Sequence, residues 1–311
     1  MTKRKPRICV VGSSNIDLTF RTPRLPRPGE TVAGSSQLGF GGKGANQAVM
    51  AARLGAQVSL IAKIGRDAFS ETMLASLSNQ GIDTAHVFRD DDRPTGMAAI
   101  LVDDSATNCI VVAGGANERL GPADVRQAAP SIRQADVLLT QLEVPCETCL
   151  EAFRVAREAG VRTIFNPAPA RPFPEDMLGL TDFCVPNETE LEALTGTQSA
   201  DLDQAEAAGR ELLRRGARRV IVTLGSNGAL ILDGDIAEHI AAIPVDPHDP
   251  TGAGDAFIGS IAVFLAEGLS LREAAQRATA AAALTVTRAG AQAAFPTRSE
   301  VEQLLAKQTL C

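Results

Sequence analysis

The stretch DPTGAGDAF, Asp249–Phe257, joins a run of small residues to a strongly apolar segment. That segment, Ala256–Leu265, has the length and spacing of a buried helix, so the Gly-Ala-Gly turn is predicted to form the helix N-terminus. Such an end carries unpaired N–H groups and about half a positive charge, and its glycines let an anion approach the backbone. The stretch therefore predicts an anion-binding turn.

Asp255, the acidic residue at the end of this turn, has two interpretations. Its carboxylate is either a plain helix cap or a general base beside a phosphate-binding hole. In the second case Gly252, Ala253 and Gly254 stabilise a phosphoryl group while Asp255 accepts the proton of an attacking hydroxyl. Asp255 alone does not decide between the two, so the other motifs are needed.

The composition is that of an ordinary enzyme. The 311 residues include 30 Lys and Arg against 37 Asp and Glu, with a net charge of -7. This balance argues against nucleic-acid or membrane-surface partners, and the absence of Trp and Tyr leaves few stacking platforms. The apolar run Ile8–Val11 is too short for a signal peptide, and no later stretch has the length to span a bilayer. We therefore expect a cytoplasmic protein.

The six cysteines are scattered along the chain and lack the density of a disulfide scaffold. Cys146 and Cys149 have C-x-x-C spacing, but no second pair exists to complete a zinc site. We therefore expect reduced thiols, Cys311 included.

Short apolar strands alternate with helical stretches from residue 58 onward, which is typical of a parallel doubly wound sheet. The strands are predicted at Ile8–Gly12, Val58–Ile64, Val137–Leu139, Thr163–Phe165, Phe183–Val185 and Val220–Thr223. The helices are predicted at Ala45–Leu54, Phe69–Asn79, Thr148–Ala159 and Asp203–Arg215.

One interval departs from this alternation. Thr95–Val102 and Asn108–Val112 are predicted strands with no helix between them, and with β-like stretches near 17–20 and at Thr31–Phe40 they would form a separate small sheet. We expect one face of this lid to cover a ligand. The other face, to which we assign Ile110 and Val112, would form an interface.

Polar residues follow several predicted strands, where open α/β sheets bind ligands. Asn15 and Asp17 follow the first strand, and Glu143 follows a later one. Asn187 with Glu190 has two interpretations, a capping box or a ligand contact. A second glycine-rich turn, Phe40–Gln47, places a cation and an amide at a helix N-terminus but lacks the spacing of a Walker A loop.

Taken together, five ordered motifs resemble the PfkB family of sugar kinases, from about residue 8 to residue 296. They are Asn15 with Asp17, GGKGAN at 41–46, N-x-x-E at 187–190, TLGS at 223–226 and D-x-T-G-A-G-D at 249–255. The resemblance implies one α/β kinase domain over residues 1–311, a three-layer doubly wound sheet with a β lid at about 17–40 and 95–113. It also implies that ATP phosphorylates the primary hydroxyl of ribose.

The resemblance also implies a role for each matching residue, with Asp255 as base. The expected sugar contacts are Asn15, Asp17, Gly41, Gly42, Lys43, Asn46, Glu143 and Asp255. The expected ATP contacts are Asn187, Glu190, Thr223, Gly225, Ser226, Asn227, Gly228, Gly254 and Thr279. Glu190 would in addition help to place Mg²⁺ through water.

An activating K⁺ site and a homodimer joined through the lids are further implications. The K⁺ site would be formed by Asp249, Thr251, Thr285, Arg288 and Gly290, in part through backbone carbonyls. Ala294 departs from the family pattern, where serine is usual, so one K⁺ ligand is in doubt. The alternatives are a kinase of deoxyribose, fructose or a nucleoside, and a sugar-binding regulator without catalysis.

Overall fold

The computed structural model describes residues 4–105 and 107–309. Its strands are β1 (Arg7–Val11), β2 (Asn15–Thr22), β3 (Ser35–Gly41), β4 (Gln57–Gly65), β5 (Ile82–Asp90), β6 (Gly96–Asp103), β7 (Asn108–Ala113), β8 (Val137–Gln141), β9 (Arg162–Asn166), β10 (Phe183–Cys184), β11 (Arg219–Thr223), β12 (Ala229–Asp233) and β13 (Ile236–Ile240). Its α-helices are α1 (Lys43–Arg53), α2 (Ser70–Asn79), α3 (Pro122–Gln127), α4 (Ala129–Arg133), α5 (Cys146–Glu158), α6 (Asp176–Gly179), α7 (Glu188–Thr195), α8 (Leu202–Arg214), α9 (Ala253–Ala266), α10 (Leu271–Thr285) and α11 (Arg298–Thr309).

Nine of these strands form one large sheet in the order β13-β12-β11-β10-β9-β8-β1-β4-β5. The strands from β11 to β5 pair in parallel, while β12 and β13 add an antiparallel edge. Because parallel strands are joined by crossovers, helices cover both faces of the sheet. The predicted doubly wound sheet is confirmed.

Two apolar layers lie on opposite faces of the sheet, which explains the continuous apolar runs of the central strands. Val10 of β1 packs in the layer that holds α1, α9 and α10. Its neighbours Cys9 and Val11 pack in the layer that holds α5 and α8. Alternate residues of a strand point to opposite faces, so a strand buried on both faces must be apolar throughout. The molecule therefore has the three layers expected from the sequence.

The strands β5, β12 and β13 are absent from the sequence-based prediction. β5 carries polar residues such as Asp83, His86 and Arg89 between its apolar ones, so it presents no apolar run. β12 and β13 form a hairpin in which Asp233 pairs with Ile236 across a Gly-Asp turn. A two-residue turn with Gly is a recognised hairpin signal, and it was missed.

The predicted small sheet is present, in the order β3-β2-β6-β7, but two of its details differ from the prediction. β3 begins at Ser35, so Thr31–Gly34 lies outside the strand. Ile110 and Val112 pair with Ile100 and Ala98 of β6, which in turn pair with Thr19 and Asp17 of β2. Paired residues share a face, so the assignment of Ile110 and Val112 to the face away from the ligand is wrong.

Three other observations bear on the sequence-based expectations. No helix in the described part of the chain is long and apolar enough to cross a membrane. Cys9, Cys109, Cys146, Cys149 and Cys184 form no disulfide in the described part of the chain, while Cys311 lies outside the described residues. Burial raises the pKa of the Cys149 thiol to about 12, so Cys149 itself carries no thiolate at neutral pH.

Candidate active site

The expected ligand contacts lie at the carboxyl ends of neighbouring strands. Glu143 follows β8 and Asn15 follows β1, while Asn187 follows β10 and Thr223 ends β11. Parallel strands have their carboxyl ends at the same edge of a sheet. The sheet order β11-β10-β9-β8-β1 therefore sets the expected nucleotide residues beside the expected sugar residues.

Helix α1 begins directly against β1 because glycine removes the side chains that would separate them. A Cβ on Gly44 would lie 2.6 Å from the backbone nitrogen of Ser13, closer than real Cβ atoms come. Gly42, the residue before α1, has φ 86°, a left-handed conformation that favours glycine. This close approach brings Lys43, the first residue of α1, to the edge of the sheet.

Glu143 also holds the first turn of α1. Its Oε2 accepts a hydrogen bond from the Ser13 hydroxyl at 2.5 Å and from the Lys43 backbone N–H at 3.0 Å. A carboxylate is stabilised at a helix N-terminus by the unpaired N–H groups and the helix dipole. Glu143 therefore has a structural role in addition to the sugar contact that the resemblance implies.

Asn15 and Asp17 lie on the same face of β2, next to glycines that leave room for them. A Cβ on Gly41 would lie 2.0 Å from Oδ2 of Asp17. Asn117 donates from Nδ2 to Oδ1 of Asn15 at 2.7 Å, so the NH₂ group is the end of the Asn15 amide that does not face Asn117. Asn15 thus presents a donor beside the acceptor Asp17, a pairing suited to sugar hydroxyls.

Asp255 lies in the first turn of α9, but its carboxylate is bonded to another helix. Asn46 of α1 donates to Oδ2 at 2.9 Å, and Gln47 donates to Oδ1 at 3.0 Å. The helix-cap interpretation is therefore wrong. Gly252 precedes α9 with φ 81°, and a Cβ on Gly254 would meet nothing within 4 Å among the described residues. The turn before Asp255 therefore opens onto free space.

The turn differs from the prediction in one respect. The Ala253 N–H donates to the Pro250 carbonyl at 3.2 Å. That bond uses the Ala253 donor inside the turn, so Gly252 and Gly254 are the better candidates for holding an anion.

The charged groups around Asp255 interact strongly because they are buried together. Burial raises the pKa of Asp255, although Lys43 and the two amide donors oppose the shift. Burial disfavours the ammonium of Lys43, but Asp255, Glu143 and Glu190 outweigh it, and the pKa of Lys43 is raised. Burial, Glu143 and Asp255 raise the pKa of Asp17 to about 6. One cation, Lys43, thus interacts with three carboxylates.

On the nucleotide side, the capping-box interpretation of Asn187 and Glu190 is confirmed, and the ligand contact stays a prediction. The capping box is present: Oδ1 of Asn187 accepts from the Glu190 N–H at 2.7 Å, and Oε2 of Glu190 accepts from the Asn187 N–H at 2.9 Å. Glu190 is nevertheless part of the charged cluster, since it raises the pKa of Lys43. Burial also raises the pKa of Glu190 itself, although the Asn187 N–H and Lys43 oppose the shift.

The remaining nucleotide candidates lie on a loop and on α10. Gly225, Ser226 and Asn227 form an exposed 3₁₀ turn after β11, and Gly228, which closes it, has φ 95°. A Cβ on Gly228 would lie 2.0 Å from the Ile240 carbonyl oxygen. Thr279 is buried in α10, and its hydroxyl has no hydrogen-bond partner among the described residues. An unpaired buried hydroxyl is a candidate for a ligand or water contact.

Hydrogen bonds connect three of the five residues of the expected cation site, Asp249, Thr251 and Gly290. The Thr285 hydroxyl instead donates to the Ala281 carbonyl, and the Arg288 side chain pairs with Glu300. Asp249 accepts the Thr251 N–H on Oδ1 at 2.9 Å and the Gly290 N–H on Oδ2 at 2.8 Å. Burial opposes its charge, but these bonds and Arg21 outweigh burial and lower the pKa of Asp249. A carboxylate with a lowered pKa on a loop of this kind is a candidate ligand for a monovalent cation. Ala294, which follows Gly290 closely in the sequence, is buried, and its side chain has no hydroxyl.

The described residues include no cluster of three or more His, Cys, Asp and Glu side chains arranged to hold a metal ion.

The sequence-based site assignments leave out a second group of polar residues beneath the site. They are Ser13, Gln47, Asn117, Gln141, Asn166 and Gln292, and all are buried. Several directly follow or end an apolar run, which is a usable signal, since a buried polar residue needs a partner. Which partner each one finds depends on pairing between strands that are distant in sequence.

The site can now be compared with known proteins. The model of the pfkB family of carbohydrate kinases matches residues 5–298. A ribokinase of Haemophilus influenzae is 42% identical over 299 residues, 96% of this chain and 98% of that protein. A deoxyribokinase of Salmonella typhi is 38% identical over 300 residues, 96% of this chain and 98% of that protein.

Among solved structures, the ribokinase of Arabidopsis thaliana complexed with ribose and ATP superimposes with a TM-score of 0.92. It is 33% identical, and the match covers 97% of this chain and 99% of that one. The fold, the site and these comparisons agree: the chain belongs to the pfkB family of carbohydrate kinases.

Proposed function

We propose that this protein transfers the γ-phosphoryl group of ATP to the primary hydroxyl of D-ribose, giving D-ribose 5-phosphate and ADP. The observation that carries the proposal is the environment of Asp255. Its carboxylate is buried beside the charge of Lys43, and the glycine before it opens onto free space. The similarity to the ribokinase of Haemophilus influenzae and to the ribose and ATP complex from Arabidopsis supports the same reaction.

In the proposed reaction, Asp255 accepts the proton of the primary hydroxyl as its oxygen attacks the γ-phosphorus. The bond from that phosphorus to the bridging oxygen breaks, and ADP leaves. The backbone N–H groups of Gly252 and Gly254 donate to the transferred group, where negative charge gathers. Lys43 adds a positive charge close to Asp255. Because phosphoryl transfer depends mainly on positioning and charge, these groups supply the protein's own part of the chemistry.

Two cations belong to the proposal. Mg²⁺, when bound to the ATP phosphates, neutralises charge, and Glu190 would hold it through water. K⁺ would bind beside Asp249, with carbonyl oxygens from Thr251, Thr285, Arg288 and Gly290. The missing hydroxyl at Ala294 leaves one ligand to a water molecule or a backbone oxygen.

Deoxyribose is the second candidate substrate, because the Salmonella typhi deoxyribokinase is nearly as similar as the ribokinases. The polar groups of the site favour ribose. Asn15, Asp17, Lys43 and Asn46 offer donors and acceptors to a densely hydroxylated sugar, and a missing hydroxyl would leave one of them unpaired. Fructose and nucleosides are weaker candidates. The scarcity of aromatic residues gives a nucleobase little surface for stacking.

We further propose that two copies associate through their small sheets and that the protein acts in the cytoplasm. Ile110, Val111 and Val112 are 53%, 65% and 56% exposed, so β7 is uncovered on both faces in one chain. A sheet of four strands with apolar residues on both faces gains stability when a second copy covers one of them. The small sheet would then close over the sugar and keep water away from the γ-phosphate.

The test is ADP release measured with a coupled assay over pentoses, hexoses and nucleosides at fixed Mg²⁺ and K⁺. We expect ribose to give the highest kcat/KM, with 2-deoxyribose lower by about 10²-fold or more, up to the order of 10⁴. A preference for 2-deoxyribose would replace ribose as the substrate. Sugar binding without ADP release would favour a regulator instead.

A further inference from the structure

The carboxylate of Asp255 is held by two amide side chains, and each of those amides is held by another amide. Asn46 and Gln47 donate to its two oxygens at 2.9 and 3.0 Å. Gln292 donates from Nε2 to Oδ1 of Asn46 at 3.0 Å. Gln141 donates from Nε2 to Oε1 of Gln47 at 2.6 Å. Two donor chains therefore end on the carboxylate.

The chain through Gln47 rests on the carboxyl ends of two neighbouring strands. Gln141 is the last residue of β8, Asn166 is the last residue of β9, and the two pair in register. Oδ1 of Asn166 accepts from Nε2 of Gln47 at 3.3 Å, and Nδ2 of Asn166 donates to the Val185 carbonyl at 2.9 Å. Gln47 and Gln141 are fully buried, so water does not compete for these bonds.

These contacts fix which end of the Gln47 amide faces Asp255. An amide has one donor end and one acceptor end, so a bond from Gln141 to Oε1 leaves Nε2 toward the carboxylate. Rotating the amide by half a turn would place Oε1 against the carboxylate and Nε2 against the NH₂ group of Gln141. Both contacts would then be repulsive. Gly12 leaves room for Gln141 itself, since a Cβ there would lie 2.1 Å from its Oε1.

We infer that Gln47 and Gln141 are positioning residues for the reaction: Gln141 orients Gln47, and Gln47 holds the Asp255 carboxylate toward the sugar hydroxyl and keeps it deprotonated. The inference rests on the proposed function, because it takes Asp255 as the base. It assigns a role to two buried amides that belong to neither set of ligand contacts.

Other charged groups also face Asp255, and their effects must be kept apart from those of the amides. They are Asp17 on β2, Lys43 on α1, Glu143 after β8 and Glu190 on α7. None of these four charged residues is substituted in the variants at Gln47 and Gln141. A donor stabilises the charged form of a carboxylate, so losing the Gln47 donor shifts proton binding by Asp255 to higher pH.

The experiment compares Gln47→Met, Gln141→Met and the double variant with the parent, measuring kcat against pH at saturating ribose and MgATP. Saturation removes the contribution of sugar binding by Asp17, so the acidic limb of kcat reports on Asp255. For Gln47→Met we expect kcat to fall by about 10-fold or more and the limb to move up by about one pH unit. Gln141→Met should also lower kcat and move the acidic limb to higher pH, but by smaller amounts than Gln47→Met.

The double variant should be no worse than Gln47→Met alone, because Gln141 acts through Gln47. Ser260→Ala is the matched control. It removes a buried hydroxyl of α9 that has no hydrogen-bond partner among the described residues, and it should leave the limb in place. Should Gln47→Met fail to fold, Gln141→Met carries the test.

The outcomes separate this inference from the proposed function. A parent that releases no ADP with any sugar ends the proposed function and this inference with it. An active parent whose Gln variants keep the acidic limb of the parent overturns the inference alone, even when their kcat is lower. Fully additive effects in the double variant would also overturn it.

Discussion

Replacing Asp255 with asparagine tests the proposed base while nearly preserving its shape. The new side chain cannot accept a proton at neutral pH, and loss of a general base lowers kcat by about 10² to 10⁴-fold. A 10²-fold loss corresponds to about 2.7 kcal/mol of activation free energy. We therefore expect kcat for Asp255→Asn to fall by at least about 10²-fold, with nucleotide affinity largely unchanged.

The structure also indicates what the substitution does to stability. The carboxylate accepts from Asn46 at 2.9 Å and Gln47 at 3.0 Å, so the NH₂ group of the new amide must face one of these two donors. One unsatisfied buried donor costs about 1–3 kcal/mol. Removing a buried charge offsets part of that cost, because its desolvation is no longer required. Lys43 keeps Glu143 and Glu190 as partners. The variant should therefore fold, which thermal denaturation checks.

The assay is coupled ADP release at saturating ribose and ATP, with nucleotide binding measured by calorimetry and folding by thermal denaturation. Asp182→Asn is a matched control, since Asp182 and Asp255 are both 8% exposed and Asp182 binds the Thr163 backbone N–H on another part of the sheet. It should lower stability without lowering kcat. A kcat for Asp255→Asn within a few-fold of the parent would refute the assignment of the base.

The remaining predictions concern pH, the cation and the small sheet. The pKa of Asp17 is raised to about 6, so its carboxylate takes up a proton below that pH and loses acceptor capacity. KM for ribose should therefore rise as pH falls from 7 to 5. A KM that is constant over this range would speak against Asp17 as a sugar ligand. Replacing Na⁺ with K⁺ at constant ionic strength should raise the rate, and Asp249→Ala should weaken this activation while Asp246→Ala, an exposed acid nearby, should not. Equal rates in both salts would mean that no K⁺ site operates. Ile110→Glu places a charge on the face that carries Asp17. We take this as the face that the second copy covers, so the variant should disrupt dimers and raise KM for ribose, whereas Val111→Glu, on the opposite face, should leave the dimer intact. Light scattering that gives a monomeric parent would remove the dimer proposal.

Much of the fold was predictable because the signals are local. The buried strand β1 is an apolar run that ends at Gly12, and α9 is an apolar run that begins after a Gly-Ala-Gly turn. The face of the small sheet that Ile110 occupies was not predictable, because it depends on the register of β7 on β6 and of β6 on β2. Alternation within a strand indicates which residues share a face, and only pairing shows which face it is.

The site shows the same division between local and long-range signals. Asp255, Lys43 and Glu143 lie in or beside motifs that indicate a charged site, and the structure brings the three residues together. Gln47 ends the glycine-rich motif at Phe40–Gln47 and Gln141 ends β8, and 94 positions separate the two in the chain. Their contact arises only when α1 packs on the end of β8, which no local pattern encodes.

The central claim, phosphorylation of ribose at its primary hydroxyl, is tested most directly by the identity of the product. Purified protein is incubated with ribose, ATP, Mg²⁺ and K⁺, and the product is examined by two-dimensional ¹H–³¹P correlation NMR. We predict a new phosphate monoester signal that correlates with the two protons on C5 of ribose, in an amount equal to the ADP formed. A correlation to the proton on C1, or inorganic phosphate as the sole new phosphorus signal besides ADP, would contradict the account.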